Sequence, residues 1–270
     1  VRSSTVANGG NSSFGNDGCG YSDANSDSAS DLASFSSHGP CSDGRQKPDL
    51  VAPGSHITGG VAQSVSATNG TGMALAGFRA ASICALNGAG VAGRTNNFFP
   101  LRPQFYTVSS GTSHATPAVA GACALVRQYF INQNLTAPSP AMTKAFLMNS
   151  TRYLTGQRAN DSLWSSGQGM GALNLGTAFD GVVRVLRDQK PVDKLTASGQ
   201  TRVFTGTISD TNKPVRVTLA WTDAPGNTFG NAFNNDLDLS ITVGGNTYKG
   251  NVFGGAFSIT GGNADARNNV

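Results

Sequence analysis

The sequence predicts an α/β domain over residues 1–187, followed by an antiparallel β-sandwich over residues 188–270. In the first part, a strand and a glycine turn run directly into a helix of small apolar residues, which indicates a buried helix. In the second part, apolar and polar residues alternate with a period of two, which is typical of antiparallel strands. Because the first pattern gives way to the second near residue 185, we expect a mostly parallel sheet before that point and a separate sandwich after it.

Composition excludes two classes of protein. Only 13% of the 270 residues are charged, and the net charge of +4 includes no run of Lys or Arg, so the sequence lacks the footprint of nucleic-acid binding. No apolar run approaches the length of about 18 residues that a membrane span needs. Polarity comes instead from Ser, Thr, Asn and Gly, which suits a secreted, extracellular protein.

The segments before the helix contain mostly loops. The run KPDLVAPGSHI (47–57) predicts a buried strand that enters a turn, because its apolar residues are bounded by Pro48 and Pro53. Residues 1–34 predict a polar surface loop, and residues 59–104 predict a further loop region rich in Gly, Ala and Asn. The run FYTVSSGTS then predicts a strand that leads into a tight turn.

Two helices are expected next. Residues 113–130 are apolar nearly all round, so this helix is expected to be buried, with close neighbours on several sides. Ser139 and Pro140 predict the N-cap and the first residue of a second helix. The glycine-rich run 167–175 predicts a turn that closes this region.

Alternation identifies two strands of the second part. The apolar positions are Val215, Val217, Leu219 and Trp221 in one stretch, and Leu237, Leu239, Ile241 and Val243 in the next. Gly244 and Gly245 predict a turn after the second stretch. The run RDQKPVDK (187–194) is the expected linker between the two parts.

Ser113 is the residue that points most directly to chemistry. It stands between a glycine turn and a helix, where backbone N–H groups would stabilise an alkoxide or an oxyanion. Two interpretations follow: Ser113 is a nucleophile, or it is only the N-cap of the helix. The G-x-S-x-G elbow of α/β-hydrolases would need Gly where Ala115 stands, which weakens that assignment.

Several longer motifs resemble one family, the subtilisin-like serine proteases (subtilases). GTSHATPAVAG (111–121) resembles their nucleophile segment, and ASFSSHGPCSDGRQKPDLVAPGSHI (33–57) resembles the segment before it, although Arg is common in the family where His38 stands. KAFLMNST and GQGMGALNL follow in the family's order. VTLAWTDAPG (217–226) and NNDLDLSITV (234–243) resemble the C-terminal, jelly-roll-like β-sandwich of some alkaline subtilases.

The resemblance implies a serine endopeptidase that acts on polypeptide substrates through an Asp-His-Ser triad. It makes Ser113 the nucleophile, with its backbone N–H as one oxyanion donor, and places Thr112 beside the same site, where it would help to shape substrate binding. The resemblance also implies that residues 1–187 are the C-terminal portion of a subtilisin-like catalytic domain and that the sandwich is incomplete at its C-terminus.

None of the three histidines, His38, His56 and His114, is expected to be the general base. His114 is the neighbour of Ser113, and adjacent side chains on a helix diverge by about 100°. In the family, the triad Asp and His and the oxyanion Asn precede the nucleophile by more residues than stand here, so we expect them upstream of Val1. The N-terminal part of the same protease is therefore an expected partner, and the chain alone is expected to be inactive.

Two other functional interpretations remain open. The first is a catalytically inactive subtilase relative that works as a binding or structural module. The second is a carbohydrate-binding sandwich, which exposed aromatic residues on one strand face would support, although Trp221 is more readily a core residue.

Calcium as a structural ion is common in the family, and no cofactor is expected for catalysis. Asp23, Asn25 and Asp27 alternate as in a calcium loop, but the Gly and the closing Glu of an EF-hand are absent, which favours a plain solvated loop. Further hard oxygen ligands near the second part are Asp223, Asp236 and Asp238. The calcium ligands stay unassigned.

The four cysteines lack the spacing of a metal site. Cys19 and Cys41 lie in polar loops and could pair in an oxidising compartment, whereas Cys123 is expected to be a buried free thiol.

Overall fold

A computed structural model of the chain describes residues 11–12, 21–22, 28–55, 57–60, 106–109, 111–226, 233–268 and 270. Two antiparallel pairs come first in the chain. Strand β1 (Asn11–Ser12) pairs with β2 (Tyr21–Ser22), and β3 (Ile57–Gly60) pairs with β4 (Tyr106–Ser109). The strand expected directly before the glycine turn is thus confirmed as β4.

The segment 47–57 does not form the regular strand that its sequence predicts. Among its described residues, Val51 makes an isolated parallel bridge with Ala172, and the ladder of β3 begins only at Ile57. Pro48 and Pro53 explain the difference, because proline has no N–H to donate to a ladder. This bridge is the one parallel pairing in the described ranges, so the mostly parallel sheet stays a prediction.

Helix α1 (Thr112–Asn132) confirms the long helix expected after the turn. Its buried face consists of Ala122, Val126 and Phe130, which recur every four residues. The expectation that this helix is buried nearly all round is wrong, because the described elements that pack on it lie on one side. Leu125 and Ile131, on other sides, are 50% and 49% exposed.

Helix α2 (Pro140–Asn149) begins as predicted, with Ser139 as the N-cap and a proline at the first position. The Oγ of Ser139 accepts a hydrogen bond from the Met142 N–H at 3.0 Å, and it donates to Asp188 at 2.7 Å. Phe146 and Leu147 of α2 pack with Val126 and Phe130 of α1, together with Ala178 in the short helix α3 (Leu175–Ala178). This cluster is one of two buried apolar clusters among the described residues of the first part, the other being Leu32, Leu154 and Ala159.

The glycine-rich turn at residues 167–175 is built around a fully buried side chain, Gln168. Its Oε1 accepts the Leu154 N–H at 2.8 Å, and its Nε2 donates to the carbonyl oxygens of Leu154 and Ala159. Gly169 and Gly171 have φ angles of +60° and +117°, which glycine adopts readily. The hydrogen bonds of Gln168 thus fix the conformation of this turn. The turn also binds Val51, whose N–H donates to the Gly171 carbonyl oxygen at 3.0 Å.

The end of the chain forms an antiparallel three-stranded sheet of β5 (Ser240–Val243), β6 (Asn246–Gly254) and β7 (Phe257–Thr260). Gly244 and Gly245 make the predicted turn, with φ angles of +56° and +80°. A short 3-10 helix (Pro191–Asp193) lies within the expected linker. The described residues contain one sheet here, so the second sheet of a sandwich and the domain boundary at 187/188 stay predictions.

The stretch Val215–Trp221 joins no ladder in the part of the chain that the structure describes, and its burial does not alternate. Val215 and Val217 are 51% and 50% exposed, whereas residues 218–221 are half-buried. Thr218, Leu219 and Trp221 line the same small cavity, and Thr218 also accepts a hydrogen bond from the Asn149 side chain of α2 at 3.0 Å. The half-buried Trp221 also donates from Nε1 to the Asn235 carbonyl oxygen at 3.2 Å, and it is not among the buried core residues.

Two further sequence expectations concern membranes and disulfides. Within the described ranges, no helix combines the length and the apolar character that crossing a membrane requires. Cys41 and Cys123 carry free thiols, so the suggested Cys19–Cys41 bond is not made in this structure, and Cys19 itself lies outside the described residues.

Candidate functional site

Ser113 is exposed and is the second residue of α1, directly after the turn at Gly111. The N-cap position belongs to Gly111, and no side chain makes a capping hydrogen bond at this helix. The capping interpretation of Ser113 is therefore wrong, in contrast to Ser139, whose hydroxyl does cap α2. The hydroxyl of Ser113 is not committed to the backbone of its own helix start.

Gly111 has a backbone conformation that other residues avoid. Its φ of 155° and ψ of 161° fall in a region that is essentially restricted to glycine. Its carbonyl oxygen accepts the His114 N–H at 3.0 Å, which begins the helix. The sharp change of direction between β4 and α1 thus presents Ser113 at the surface, on the first turn of a long helix.

The first turn of α1 is suited to stabilise negative charge. The first N–H groups of an α-helix have no acceptor within the helix, and the helix dipole is positive at this end. No acidic side chain lies in this turn to neutralise that field. Pro117 lacks an N–H, so the helix also lacks the usual bond from residue 117 to the Ser113 carbonyl oxygen.

Gly54 is in direct contact with this turn. Its carbonyl oxygen accepts the N–H of Gly111 at 2.7 Å, just beyond the end of the β3–β4 ladder. A Cβ atom on Gly54 would lie 2.8 Å from the Gly111 carbonyl oxygen and 3.2 Å from the Cβ of Ala115. The segment that ends at Gly54 is thus pressed against the start of α1.

An ion cluster anchors the beginning of the same segment. The Asp49 carboxylate binds the Nζ of Lys47 at 2.6 Å and the Nζ of Lys144, on α2, at 3.1 Å. Burial raises the pKa of Asp49, but the two lysines outweigh it, so the pKa lies below its usual value. Burial is the main cause that lowers the pKa of Lys144.

The two predicted site residues are consecutive in the chain, and a histidine lies close to them at the start of α1. Thr112 is exposed and precedes Ser113, and its carbonyl oxygen accepts the Thr116 hydroxyl at 3.0 Å. A Cβ built on Gly111 would lie 3.8 Å from the Cδ2 of His114 and 3.8 Å from the backbone nitrogen of Ser113. His38 lies near Gly167, and His56 is outside the described residues.

The carboxylates proposed for calcium differ in how well they suit a cation. Asp223 accepts hydrogen bonds from the backbone N–H groups of Asn234 and Asn235 at 2.6 and 2.9 Å, and the Asn235 N–H bond is the main cause of its lowered pKa. N–H donors already point at this carboxylate, so it does not fit a calcium ligand. Burial, followed by the charges of Asp238 and Asp265, raises the pKa of Asp236.

No set of three or more His, Cys, Asp or Glu side chains in the described ranges is arranged to hold a metal ion. The candidate loop of Asp23, Asn25 and Asp27 lies outside the described residues. Structural calcium therefore stays a prediction.

The sequence is similar to a family of serine proteases and to three longer proteins. The sequence model of the subtilase family matches residues 6–171, which is more than half of the chain. A serine protease/ABC transporter B family protein of Dictyostelium discoideum, tagA, is 29% identical over 239 residues, covering 80% of this chain and 12% of that protein. Its relative tagB is 30% identical over 135 residues, covering 46% of this chain and 6% of that protein, and tagD matches to the same extent.

These relatives are much longer than this chain. The chain spans only 6% to 12% of the length of these three relatives. The match to tagA covers 80% of the chain, which is more than residues 6–171 alone can supply, so it includes residues outside the family match. The comparisons support a serine protease function in general, whereas the roles of Ser113 and Thr112 stay predictions.

Proposed function

The chain belongs to the subtilase family, and from this premise we propose that it carries the nucleophile of a serine endopeptidase, Ser113. The observation that carries the proposal is that Ser113 is exposed on the first turn of α1 without serving as its cap. A hydroxyl that is held at a helix N-terminus, and is not used to stabilise that helix, is available to attack a substrate.

In the proposed reaction, the Ser113 Oγ forms a bond to the carbonyl carbon of a peptide, and the serine proton passes to a histidine base. The negative charge that develops on the carbonyl oxygen is stabilised by the Ser113 N–H and by the N-terminal end of α1. The proton then passes from the histidine to the leaving amine as the C–N bond breaks, and water hydrolyses the acyl-enzyme. Thr112 would contact substrate beside this position.

We place the base and its aspartate outside this chain, in another part of the full-length protein. The support comes from helix geometry and from position: consecutive side chains on a helix diverge by about 100°, which directs His114 away from Ser113, and His38 lies by the turn at Gly167. The upstream part of the same protease would then be the partner that completes the triad. An extracellular location, a structural calcium ion and a completed C-terminal sandwich belong to the same proposal.

The alternative is an inactive subtilase-like module that binds or supports other proteins. Both functions share the fold, but they differ in the reactivity of one hydroxyl. A serine that is activated by a base reacts with fluorophosphonates, whereas an ordinary serine hydroxyl is a weak nucleophile.

The experiment labels the full-length protein with a fluorophosphonate and maps the modified residue by mass spectrometry. We expect labelling at Ser113 that is lost in Ser113→Ala. Ser139→Ala is the matched control, because it removes a serine at another helix N-terminus and should leave labelling intact. A correctly folded full-length protein that is not labelled at Ser113 would favour the inactive module.

A further inference from the structure

We propose that Gly54 is a positioning residue for Ser113, and this inference rests on the function proposed above. The geometry points to a direct contact between Gly54 and the turn that places Ser113. Gly54 contacts the turn that carries the nucleophile through one hydrogen bond and one close approach, and both involve the backbone of Gly111.

Gly54 stands at the end of a fixed segment of the chain. Asp49 is held by two lysines, and Val51 exchanges hydrogen bonds with the glycine-rich turn, donating to Gly171 at 3.0 Å and accepting from Leu173 at 2.7 Å. Pro53 then restricts the φ angle directly before Gly54. The carbonyl oxygen of Gly54 is therefore an acceptor in a defined place.

The carbonyl oxygen of Gly54 sets the conformation of Gly111. The N–H of Gly111 donates to Gly54 at 2.7 Å, and its carbonyl oxygen accepts the N–H of His114 at 3.0 Å. Gly111 is thus held on both sides in the conformation, with φ at 155°, that turns β4 into α1. The position of the Ser113 Oγ follows from the direction in which α1 begins.

The close approach of the two segments accounts for a glycine at position 54. Its φ angle does not require glycine, but a Cβ would lie 2.8 Å from the carbonyl oxygen of Gly111. That oxygen is a backbone atom in a constrained turn, so any side chain at position 54 would displace the turn. Small displacements of catalytic groups are costly, because a shift of about 1 Å lowers rates on the order of 100-fold.

The test measures fluorophosphonate labelling of the full-length protein over time. Two quantities are determined: the final fraction of labelled protein, which is the end-point, and the labelling rate per active site. For Gly54→Ala we expect the maximal labelling rate per site to fall about 10- to 100-fold, with half-saturation within about twofold of wild type and an unchanged end-point. The matched control is Gly59→Ala, since a Cβ at Gly59 would meet no atom within 4 Å, and it should label at the wild-type rate.

Two results would overturn the inference. The first is that Gly54→Ala is labelled at the wild-type rate per site. The second is that Gly54→Ala lowers only the final fraction of labelled protein and not the rate per site, which would mean that Gly54 only supports folding. If labelling instead survives Ser113→Ala, the proposed function itself is wrong, and the inference falls with it.

A second variant covers the case in which Gly54→Ala does not fold. Ala115→Val enlarges the other side chain at this contact, because the Cβ of Ala115 lies 3.2 Å from the place of a Cβ on Gly54. It should slow labelling per site, whereas Ala118→Val, at an exposed alanine of the same helix with the same change in helix propensity, should not. Equal rates for these two variants would also reject the inference.

Discussion

The guanidinium of Arg216 caps the carboxyl end of α2 by donating to the carbonyl oxygen of Asn149. Its Nη1 lies 3.0 Å from this oxygen and 2.7 Å from the carbonyl oxygen of Thr151. A cation at a helix C-terminus satisfies carbonyl groups that lack helical partners and interacts favourably with the helix dipole. Because α2 packs against α1, this contact ties the C-terminal part of the chain to the helix that carries Ser113.

Replacing Arg216 with Met should lower the free energy of unfolding by about 1 to 3 kcal/mol, the usual range for hydrogen bonds to a charged group. Arg216→Lys should recover part of this loss, since it restores the charge but not the planar donor geometry. Urea unfolding measures the effect. Arg127→Met, at an exposed arginine of α1, is the control and should change stability little. An equal effect at both positions would contradict the assigned role of Arg216.

Replacing Gln168 with Met should destabilise the glycine-rich turn by about 2 to 4 kcal/mol. The side chain is fully buried, and its loss leaves the Leu154 N–H and carbonyl groups without their partner, each at a cost of about 1 to 3 kcal/mol. Thermal unfolding followed by circular dichroism measures the effect. Gln133→Met, at an exposed position after α1, should leave the midpoint nearly unchanged.

Asp49 should make stability depend on acid pH. Its pKa is depressed below the ordinary value of 3.8, so its contribution is present above that value and is lost as the pH falls through the folded-state pKa. Asp49→Asn should remove this part of the pH dependence and cost about 1 to 2 kcal/mol at pH 7, because Lys144 loses its counter-ion. This is less than for a fully buried pair, since the Asp49 side chain is 30% exposed.

The measurement for Asp49 is urea unfolding between about pH 2 and pH 7, across the range in which carboxylates titrate. Asp210→Asn is the control, because Asp210 forms a long, exposed pair with Lys213 at 3.8 Å. If Asp49→Asn keeps the wild-type pH profile, the ion cluster does not hold the segment as described.

His114 should be dispensable for catalysis. In the full-length protein, His114→Met should keep kcat/KM within about tenfold of wild type, because consecutive side chains on a helix diverge by about 100° and His114 directly follows Ser113 in α1. Loss of a triad histidine costs on the order of a millionfold in kcat. A loss of that size in His114→Met, with an unchanged melting midpoint, would identify His114 as the base.

Several parts of the fold were predictable because their causes are local. The starts of α2 and of the turn at Gly244 depend on residues within four positions of each other, and the structure confirms both. The sequence alone did not decide the N-cap of α1, since a serine near a helix start, here Ser113, is often the cap. The conformation of Gly111 moves that start by two residues and leaves Ser113 in the helix.

Alternation over the stretch 215–221 predicted neither its burial nor its pairing. Val215 and Val217 are half exposed, and Thr218 lines the same cavity as Leu219 and Trp221. No ladder forms here in the described residues, and the stretch contacts α2 through Arg216 and Thr218 instead. Arg216 and Asn149 are 67 positions apart, and no local pattern indicates which of the arginines makes such a contact.

The sequence by itself determined the local features of this protein: two capped or glycine-initiated helices, a hairpin turn, and motifs specific enough to identify the family. These depend on propensities and periodicities that act over one or two turns of chain. The buried network of Gln168, the ion cluster at Asp49 and the contact of Gly54 with Gly111 arose only when distant segments came together. Their energies come from desolvation and from backbone atoms in van der Waals contact, and neither exists until the folded chain excludes water and brings those atoms within about 3 Å of each other.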